Sequence, residues 1–579
     1  MQLSAHQSYL RRIWIIGLLL HLSLIASRGA TYYVKPNGND SFSGLSDELA
    51  FRTIQRAAYE PNLAPGDTVI VKDGVYTANP WSTWALVILN RGGDPSGYIT
   101  FKSENKGGAV LDGQNDPARF YGFHIESPST SYVRIQDFEI RNFSKAGVDL
   151  SWPYTSNFDV SGNHIHHIGR SCSDSPLGIV GIYLYGISNA VIQKNVIHDI
   201  GRFAPGENGC NLENHYQNRD HGVYIEASTR VTNKNNLFYN IARGWSIHVY
   251  SSRGVRTSDL LIANNIFAFP YPYNYGQVIL AAPGVDNASI QNNIFYSPNT
   301  AGILIDLDKN PTFSGISITK NLVHAGVIKW PLQATPGITT SSNLENADAL
   351  LVNPHLYDFS FQPGSPAIDG GAAIAEVAED IIGRPRPQGQ AWDIGAYEYP
   401  IISQPQHKIV TASQNAIFTV APGGAGPFTY QWRKDGVNLV NGGNIFGATS
   451  PALTVASTSA SDAATYDVIV SEAGGGQFPS APAQLSVVTQ LPVSQQVDPG
   501  VTVRFQVIIA GTSPTFSYQW KKDNVQNDLR DGGNTSGTRT PSLQIANVSG
   551  SDAGYYRLYV TNKPACWFNA LSARLILNQ

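Results

Sequence analysis

Charge is scarce in this chain of 579 residues: Asp, Glu, Lys and Arg make up only 14%, and they sum to −4. With no basic run or tail to neutralise phosphates, nucleic acid is excluded as a partner. There is also no apolar run of the roughly 20 residues that a bilayer crossing needs. The stretch from Ile13 to Ile25 is shorter, follows Arg11 and Arg12, and precedes the small residues Ala26, Ser27, Gly29 and Ala30. It reads as a secretory signal peptide within residues 1–30. No cysteine stands near its end to take a lipid. The mature protein is therefore expected to be soluble, without a membrane span, and secreted or extracellular, with the periplasm and the cell surface as the possible compartments. What is plentiful instead is Gly, at 54, and Pro, at 34, which suits a turn-rich β protein better than a helical one.

The middle of the chain repeats. GVDLS, GIYLYG, GVYIEA, SIHVYS, QVILAA and GILIDL share two apolar places, held by Val148 and Leu150, Ile182 and Leu184, Val223 and Ile225, Ile247 and Val249, Val278 and Leu280, Ile303 and Ile305. This is the strand period of two, with one set of side chains inward and the other outward. A second phrase precedes each strand, as in GNHIHHI, KNVIHDI, NNLFYNI, NNIFAF, NNIFYS and KNLVHAG. Its asparagines are Asn163, Asn195, Asn236, Asn265, Asn293 and Asn321, and the later ones recur about every 28 residues, a solenoid spacing. The fold class is thus all-β, with stacked coils from about Tyr98 to Val327. The Asn column is expected to hydrogen-bond along the axis at a left-handed turn. His166, His198 and His324 share a neighbouring column with Tyr239 and Tyr296 and read as ladder residues without supporting carboxylates, so no metal ligand set is assigned.

Equivalent residues of successive coils lie about 4.8 Å apart. One outward column then runs Asp149, Tyr183, Tyr224, His248, Ile279, Leu304, and the next runs Ser151, Tyr185, Glu226, Tyr250, Ala281, Asp306. Polar and aromatic members gather on the first four coils. Insertions follow IGR at Arg170 and again at Arg202, and these loops should overhang that face side by side. Of the three cysteines, Cys172 lies in one loop and Cys210 in the other; a disulfide between them is expected in an oxidising compartment if their Cα atoms come within about 4.4 to 6.8 Å. Cys566 is left over.

TYYVKPNGNDSFSG from Thr31, then FRTIQRAA and LAPGDTVIVKDGVY, resembles the N-terminal cap of bacterial secreted right-handed parallel β-helix proteins of the pectate-lyase-like superfamily. The resemblance implies a helix covering the open end of residues 31–400. SPAIDGG, DIIGRPRP and WDIGAYEY resemble the tail of such proteins and are expected to cap the far end. The calcium ligands of the familiar pectate lyases and the paired aspartates of polygalacturonases have no counterpart here. Calcium remains a candidate cofactor only at Asn39 and Asp40, for which loop stabilisation is the plainer reading.

Two similar units follow, at 401–488 and 489–579. YQWRKDG and YQWKKDN, with SDAATYDVIV and SDAGYYRLYV, resemble bacterial immunoglobulin-like domains. The resemblance makes Trp432 and Trp520 core tryptophans and Tyr466 and Tyr556 tyrosine corners. Phe418 with Val468, and Phe505 with Leu558, stand where the usual disulfide would be. The pair is read as a spacer or as a means of cell-surface attachment.

Tyr183, Tyr185, Tyr224 and Tyr250 suit stacking on sugar rings. Around them Arg202, Arg219, Arg230, Arg243, Arg253 and Arg256 crowd into a short interval, and guanidinium forks match carboxylates and sulfates. Some must pair with Glu207, Glu213 and Asp220. The expected partner is therefore an acidic polysaccharide, bound along a groove that includes Asp149, Arg202 and Arg253. For a lyase, His248, Tyr224 or Tyr250 would supply base and acid, and Arg219 or Arg243 would neutralise the uronate. For a glycoside hydrolase, Glu226 with Asp220 is the carboxyl pair. His221 serves either scheme. A third reading is a surface or adhesion protein that binds glycans without cleaving them.

Overall fold

The computed structural model describes residues 29–173, 177–203, 206–211, 219–241, 243–270, 276–423, 426–472, 477–511, 516–523, 528–562 and 566–578. The expected signal peptide, but for Gly29 and Ala30, and Glu213 lie outside them. The chain divides into two compact units, the first comprising the segments up to Ala349, Asp369–Arg386 and Ala391–Glu398.

That first unit is a parallel β-helix of three sheets. Among the described residues eleven strands form the first sheet, from Thr31–Val34 to Ile338–Ser341; nine form the second, from Ala85–Leu89 to Val327–Trp330; ten form the third, from Gly74–Tyr76 to Leu344–Glu345. Each strand pairs in parallel with its equivalent one coil away, and the stack extends past both sequence-predicted limits. The segment read as a cap therefore supplies rungs of its own, since Thr31–Val34 pairs with Thr68–Val71. The covering helix is the five-residue Ile54–Ala58, capped by the Thr53 side chain. Its Gln55 amide accepts from Ile88 N–H at 2.6 Å and donates to Ile88 C=O at 3.0 Å. One side chain thus imitates the missing next strand at a sheet edge. Asp40 accepts from Arg52 N–H, Thr53 N–H and the Thr53 hydroxyl at 2.8 to 2.9 Å, and Asn39 accepts from Ser41, so both act as loop acceptors.

The register of the second sheet matches the repeat alignment. Val148 pairs with Ile182, Ile182 with Val223, Val223 with Ile247 and Ile247 with Val278, all fully buried. From the third sheet Phe238, Phe267 and Phe295 stack along the axis with ring centroids 5.1 Å apart.

The buried Asn column fixes the phase of this stack. Asn195 donates from both N and Nδ2 to Asn236 Oδ1, at 2.9 and 3.0 Å, and its Nδ2 also donates to Val160 C=O. The same pattern joins Asn163 to Asn195, Asn236 to Asn265, Asn265 to Asn293 and Asn293 to Asn321. One expectation is corrected: the left-handed residue is the one before each ladder asparagine, such as Gly162, Lys194, Asn235, Asn264, Asn292 and Lys320, with φ from 52° to 71°.

Those corner residues bind the closing segment. Asn235 donates to Glu379 C=O, Asn264 to Asp393 and Gly395 C=O, and Asn292 to Ala372 C=O, at 2.6 to 3.0 Å. The segment read as capping the far end instead runs along the flank of the coils, because the left-handed turns point spare amides sideways. Ile374 and Val377 pack there on Ala263.

The second unit holds mainly antiparallel sheets arranged as two β-sandwiches, with parallel pairs between Lys408–Thr411 and Ala483–Gln490 and between Gln495–Val497 and Cys566–Leu577. Trp432 and Trp520 are fully buried, as are Phe418, Val468, Phe505 and Leu558. Tyr466 donates its hydroxyl to Asp462 C=O at 2.8 Å and Tyr556 to Asp552 C=O at 2.6 Å. Phe418 stacks on Tyr466, and Phe505 on Tyr556, with centroids 5.1 Å apart, so apolar packing fills the place of a disulfide. Cys566 begins the strand Cys566–Leu577.

Removing a ladder amide leaves two buried N–H donors of the preceding coil without an acceptor. Asn236→Ala should therefore lower stability by roughly 3 kcal/mol, at about 1–3 kcal/mol per orphaned group, measured by denaturant unfolding. Gln333→Ala, on an exposed side chain, should cost under about 0.5 kcal/mol; equal losses would mean that the ladder does not hold the stack.

Candidate functional site

The outward column of the second sheet carries a cleft. Asp149 pairs with Tyr183, Tyr183 with Tyr224 and Tyr224 with His248. The rings of Tyr183 and Tyr224 stack at 5.2 Å and 9°, and those of Tyr224 and His248 at 5.1 Å and 24°. The cleft beside them has a volume of about 700 Å³ and is lined also by Tyr121, Lys145, Arg219, His221 and Tyr250. Leu177 and Gly178, from the end of the first insertion, form part of its rim.

The two insertions are tied together by the Cys172–Cys210 disulfide, with Cα atoms 5.4 Å apart. The second insertion is also clamped at its base. Asp220 accepts from Arg202 N, Nε and Nη2 at 2.9, 3.0 and 2.6 Å, and both side chains are completely buried. Burial raises the Asp220 carboxyl while Arg202 opposes that shift. Arg243 is buried nearby.

This geometry removes several expected site residues from the cleft. Asp220, Arg202 and Arg243 lie beneath it, because Asp220 pairs with Ile179 of the preceding coil and shares that residue's inward side. Asp149 is buried with Oδ2 2.7 Å from His124 Nδ1. Tyr185 is covered by the Arg253 guanidinium, 4.4 Å from its ring centroid. Arg230 belongs to the first sheet, and Arg256 binds Asp286 there at 2.6 Å. Of the arginine cluster, Arg219 alone lines the cleft among the described residues, while exposed Arg253 lies beside it, 4.0 Å from Glu226. Lys145, Tyr121 and His124 were missed; extending the column back one coil, through the alternation in Phe123, His124 and Ile125, reaches His124.

Hydrogen bonds set the proton positions. Trp245 N–H donates to His221 Nδ1 at 3.3 Å, and His221 Nε2 lies 2.8 Å from His248 Nδ1. His221 must then carry its proton on Nε2 and give it to His248 Nδ1, so the proton of His248 itself sits on Nε2. Burial pushes His248 down to about 3. Burial, then the neighbouring His248 and Arg202, hold His221 well below the ordinary value. His248 is thus a neutral donor. Tyr183 donates to Glu226 Oε2 at 2.6 Å, which places buried Glu226 as a support for the ladder. Burial raises the Tyr183 phenol, helped by that bond, and raises Tyr224 as well. The Tyr250 oxygen accepts from the Lys309 ammonium at 2.9 Å.

The third-sheet column pairs His166 with His198 and His198 with Tyr239. It does have carboxylates, however: Glu139 Oε1 lies 3.3 Å from His166 Nε2, and Asp199 Oδ2 lies 2.6 Å from His198 Nδ1. They come from a preceding coil and from the corner residue, places that the column alignment did not include.

Residues 156–343 match the family described as periplasmic copper-binding protein (NosD), and residues 487–562 match the immunoglobulin domain family. No curated protein matches the chain. Solved structures similar to it include an I-band fragment of titin, 21% identical over 31% of this chain with a TM-score of 0.18. Others are extracellular domains 3–5 of Drosophila OTK, 22% identical over 31% with a TM-score of 0.15, and the tandem Ig repeats of Dlar, 26% identical over 31% with a TM-score of 0.15. The chain spans 66% of the titin fragment, 65% of the OTK fragment and 98% of the Dlar one. No helix among the described residues is long and apolar enough to cross a membrane.

Two outcomes follow. Asp220→Ala removes the carboxylate of a buried ion pair and should cost about 3–5 kcal/mol in thermal or denaturant unfolding; a loss of activity at unchanged stability would instead return Asp220 to the chemistry. His221 and His248 have depressed folded values, so the unfolded chain binds more protons below its ordinary value of about 6.5. Their contribution is complete above that pH and is lost as pH falls from about 6.5 toward 3. A melting temperature for His248→Gln that falls as steeply as wild type over this window would contradict it.

Proposed function

We propose that the chain is an exported enzyme that binds an acidic polysaccharide in the second-sheet cleft and cleaves it by β-elimination. The observation that carries this reading is the Tyr224, His248 and Tyr250 set on one outward face, with Arg219 and Lys145 as cations in the same cleft. The stacked rings suit sugar faces, and the cations suit uronate carboxylates.

In this scheme Tyr250, its oxygen held by the Lys309 ammonium, is the base that removes the proton at C5 of the uronate. The charge that develops on its carboxylate is met by the His248 Nε2–H and by Arg219. A neutral imidazole donor suits that role, whereas its tautomer does not suit proton abstraction. The C4–O4 bond then breaks, Tyr224 gives its hydroxyl proton to O4, and an unsaturated uronate end results. The raised Tyr224 keeps that proton through the alkaline range. Hydrolysis is less well supported, because Asp220 is sealed in its ion pair and, among the described residues, no second carboxyl lines the cleft opposite Glu226. The sandwich units serve as spacer or attachment modules, and the match to a periplasmic family supports export.

The test is incubation of the full chain with a panel of uronic-acid polymers. Ultraviolet absorbance from unsaturated ends is expected. Tyr250→Phe and Tyr224→Phe should each lower its rate of appearance by about 100-fold or more, and His248→Ala by a similar factor. New reducing ends without absorbance would make the protein a hydrolase, and retention without cleavage would make it a glycan-binding surface protein; either result sinks the elimination scheme.

A further inference from the structure

The third sheet carries a second cluster that the cleft chemistry does not use. His164 and His166 lie on one strand, His164–Ile168, and pair across to Glu139 and Arg141 on one side and to Val196 and His198 on the other. His164 Nε2 lies 2.7 Å from His198 Nε2, and His166 Nε2 lies 3.3 Å from Glu139 Oε1. Ligand atoms of Glu139, His164 and His166 all fall within 4.8 Å of one another. Two ligands on opposite sides of a metal bound at about 2.1 Å would be about 4.2 Å apart, so small side-chain rotations close the difference.

The Nδ1 atoms of two of these rings are already engaged. His198 Nδ1 is 2.6 Å from Asp199 Oδ2, and His166 Nδ1 is 2.7 Å from His167 Nδ1. Glu139 is oriented by Arg141 Nη1 at 2.6 Å, and Arg141 is itself paired with Asp112. Outer partners of this kind fix the tautomer and direction of ligating imidazoles and carboxylates. His167 and Asp199, which contact His166 and His198, line an adjoining cleft of about 350 Å³.

A simple ladder explains only part of this arrangement. His166 stacks on His198 at 5.0 Å and 2°, and His198 on Tyr239 at 4.4 Å and 8°, as same-register rings in neighbouring coils do. His164 stands two residues away from that column, yet it turns its Nε2 onto His198. Donors from two columns and three coils therefore converge on one place.

We propose that Glu139, His164 and His166, with His198 alongside, bind one divalent transition metal ion. Three imidazoles and one carboxylate favour Cu(II) or Zn(II) over the oxygen-seeking Ca(II) and Mg(II), and Cu(II) is the tightest of the first-row divalent series. The site is independent of the polysaccharide reading.

The test uses the tag-free full chain, stripped with EDTA and desalted. Titration with Cu(II), followed by electron paramagnetic resonance and calorimetry, should reach one equivalent and show nitrogen superhyperfine structure. Zn(II) should compete for that equivalent, and Ca(II) should not. The His164→Gln, His166→Gln double variant should bind at least 100-fold more weakly with unchanged circular dichroism, while His324→Gln should bind as wild type. If the double variant does not fold, Glu139→Gln takes its place, with an expected loss of at least 10-fold. Absence of stoichiometric binding, undiminished binding by a folded variant, or equal competition by Ca(II) would each overturn the site.

Discussion

A buried amide that finds no acceptor destabilises the fold by more than a formed hydrogen bond stabilises it, and the asparagine column turns this asymmetry into a ruler. Each ladder side chain has its acceptor only when the next coil stands one rung away in the same phase, as Asn195 does over Asn236. A slip of one residue would strand several N–H groups at once and would also turn every inward side chain of that strand outward. Apolar packing alone is less exacting, because Val, Ile and Leu tolerate one another at similar volume. The hydrogen-bonded column therefore sets the phase, and the apolar columns supply the bulk of the stabilisation.

Function follows from that phase, because residues 24 to 41 apart in the chain become neighbours only through it. Tyr183, Tyr224 and His248 form one stacked ladder for this reason. The insertions add what a bare solenoid face lacks, which is depth. Their anchoring is correspondingly firm: a disulfide joins them, and the Arg202 and Asp220 ion pair closes the base of the second one. A buried pair of this kind is poor evidence of net stability but holds its two strands in one arrangement.

The repeat alignment was legible because inward and outward positions differ sharply in residue type. Val148, Ile182, Val223 and Ile247 mark the inside without ambiguity, and the register of Tyr224 and His248 follows from them. Strand entrances were not legible. Asp220 occupies the place that Ile179 holds one coil earlier, so it turns inward, and only the buried Arg202 makes that tolerable. Nothing in the local alternation announces such a reversal at the end of an insertion. The left-handed turn was misplaced by one residue for a related reason: asparagines occur side by side at 235–236, 264–265 and 292–293, one making the turn and the other the ladder. The third-sheet carboxylates escaped because Glu139 is an ordinary strand residue on a coil without a histidine.

The two histidine groups show how one scaffold gives opposite chemistry from the same residue type. On the second sheet His221 and His248 are joined in series, Nε2 to Nδ1, starting from a backbone N–H, and the polarity of that chain leaves a donor at its open end. On the third sheet the Nδ1 atom of His198 is held from outside by the Asp199 carboxylate, so its lone-pair nitrogen, Nε2, turns toward His164. A chain that begins on a donor ends as a donor, and this suits a carboxylate rather than a cation. A ring whose Nδ1 proton is drawn off to a carboxylate presents an acceptor, and this suits a cation rather than a carboxylate. The distinction rests on what stands behind each ring, which coil stacking decides and composition does not.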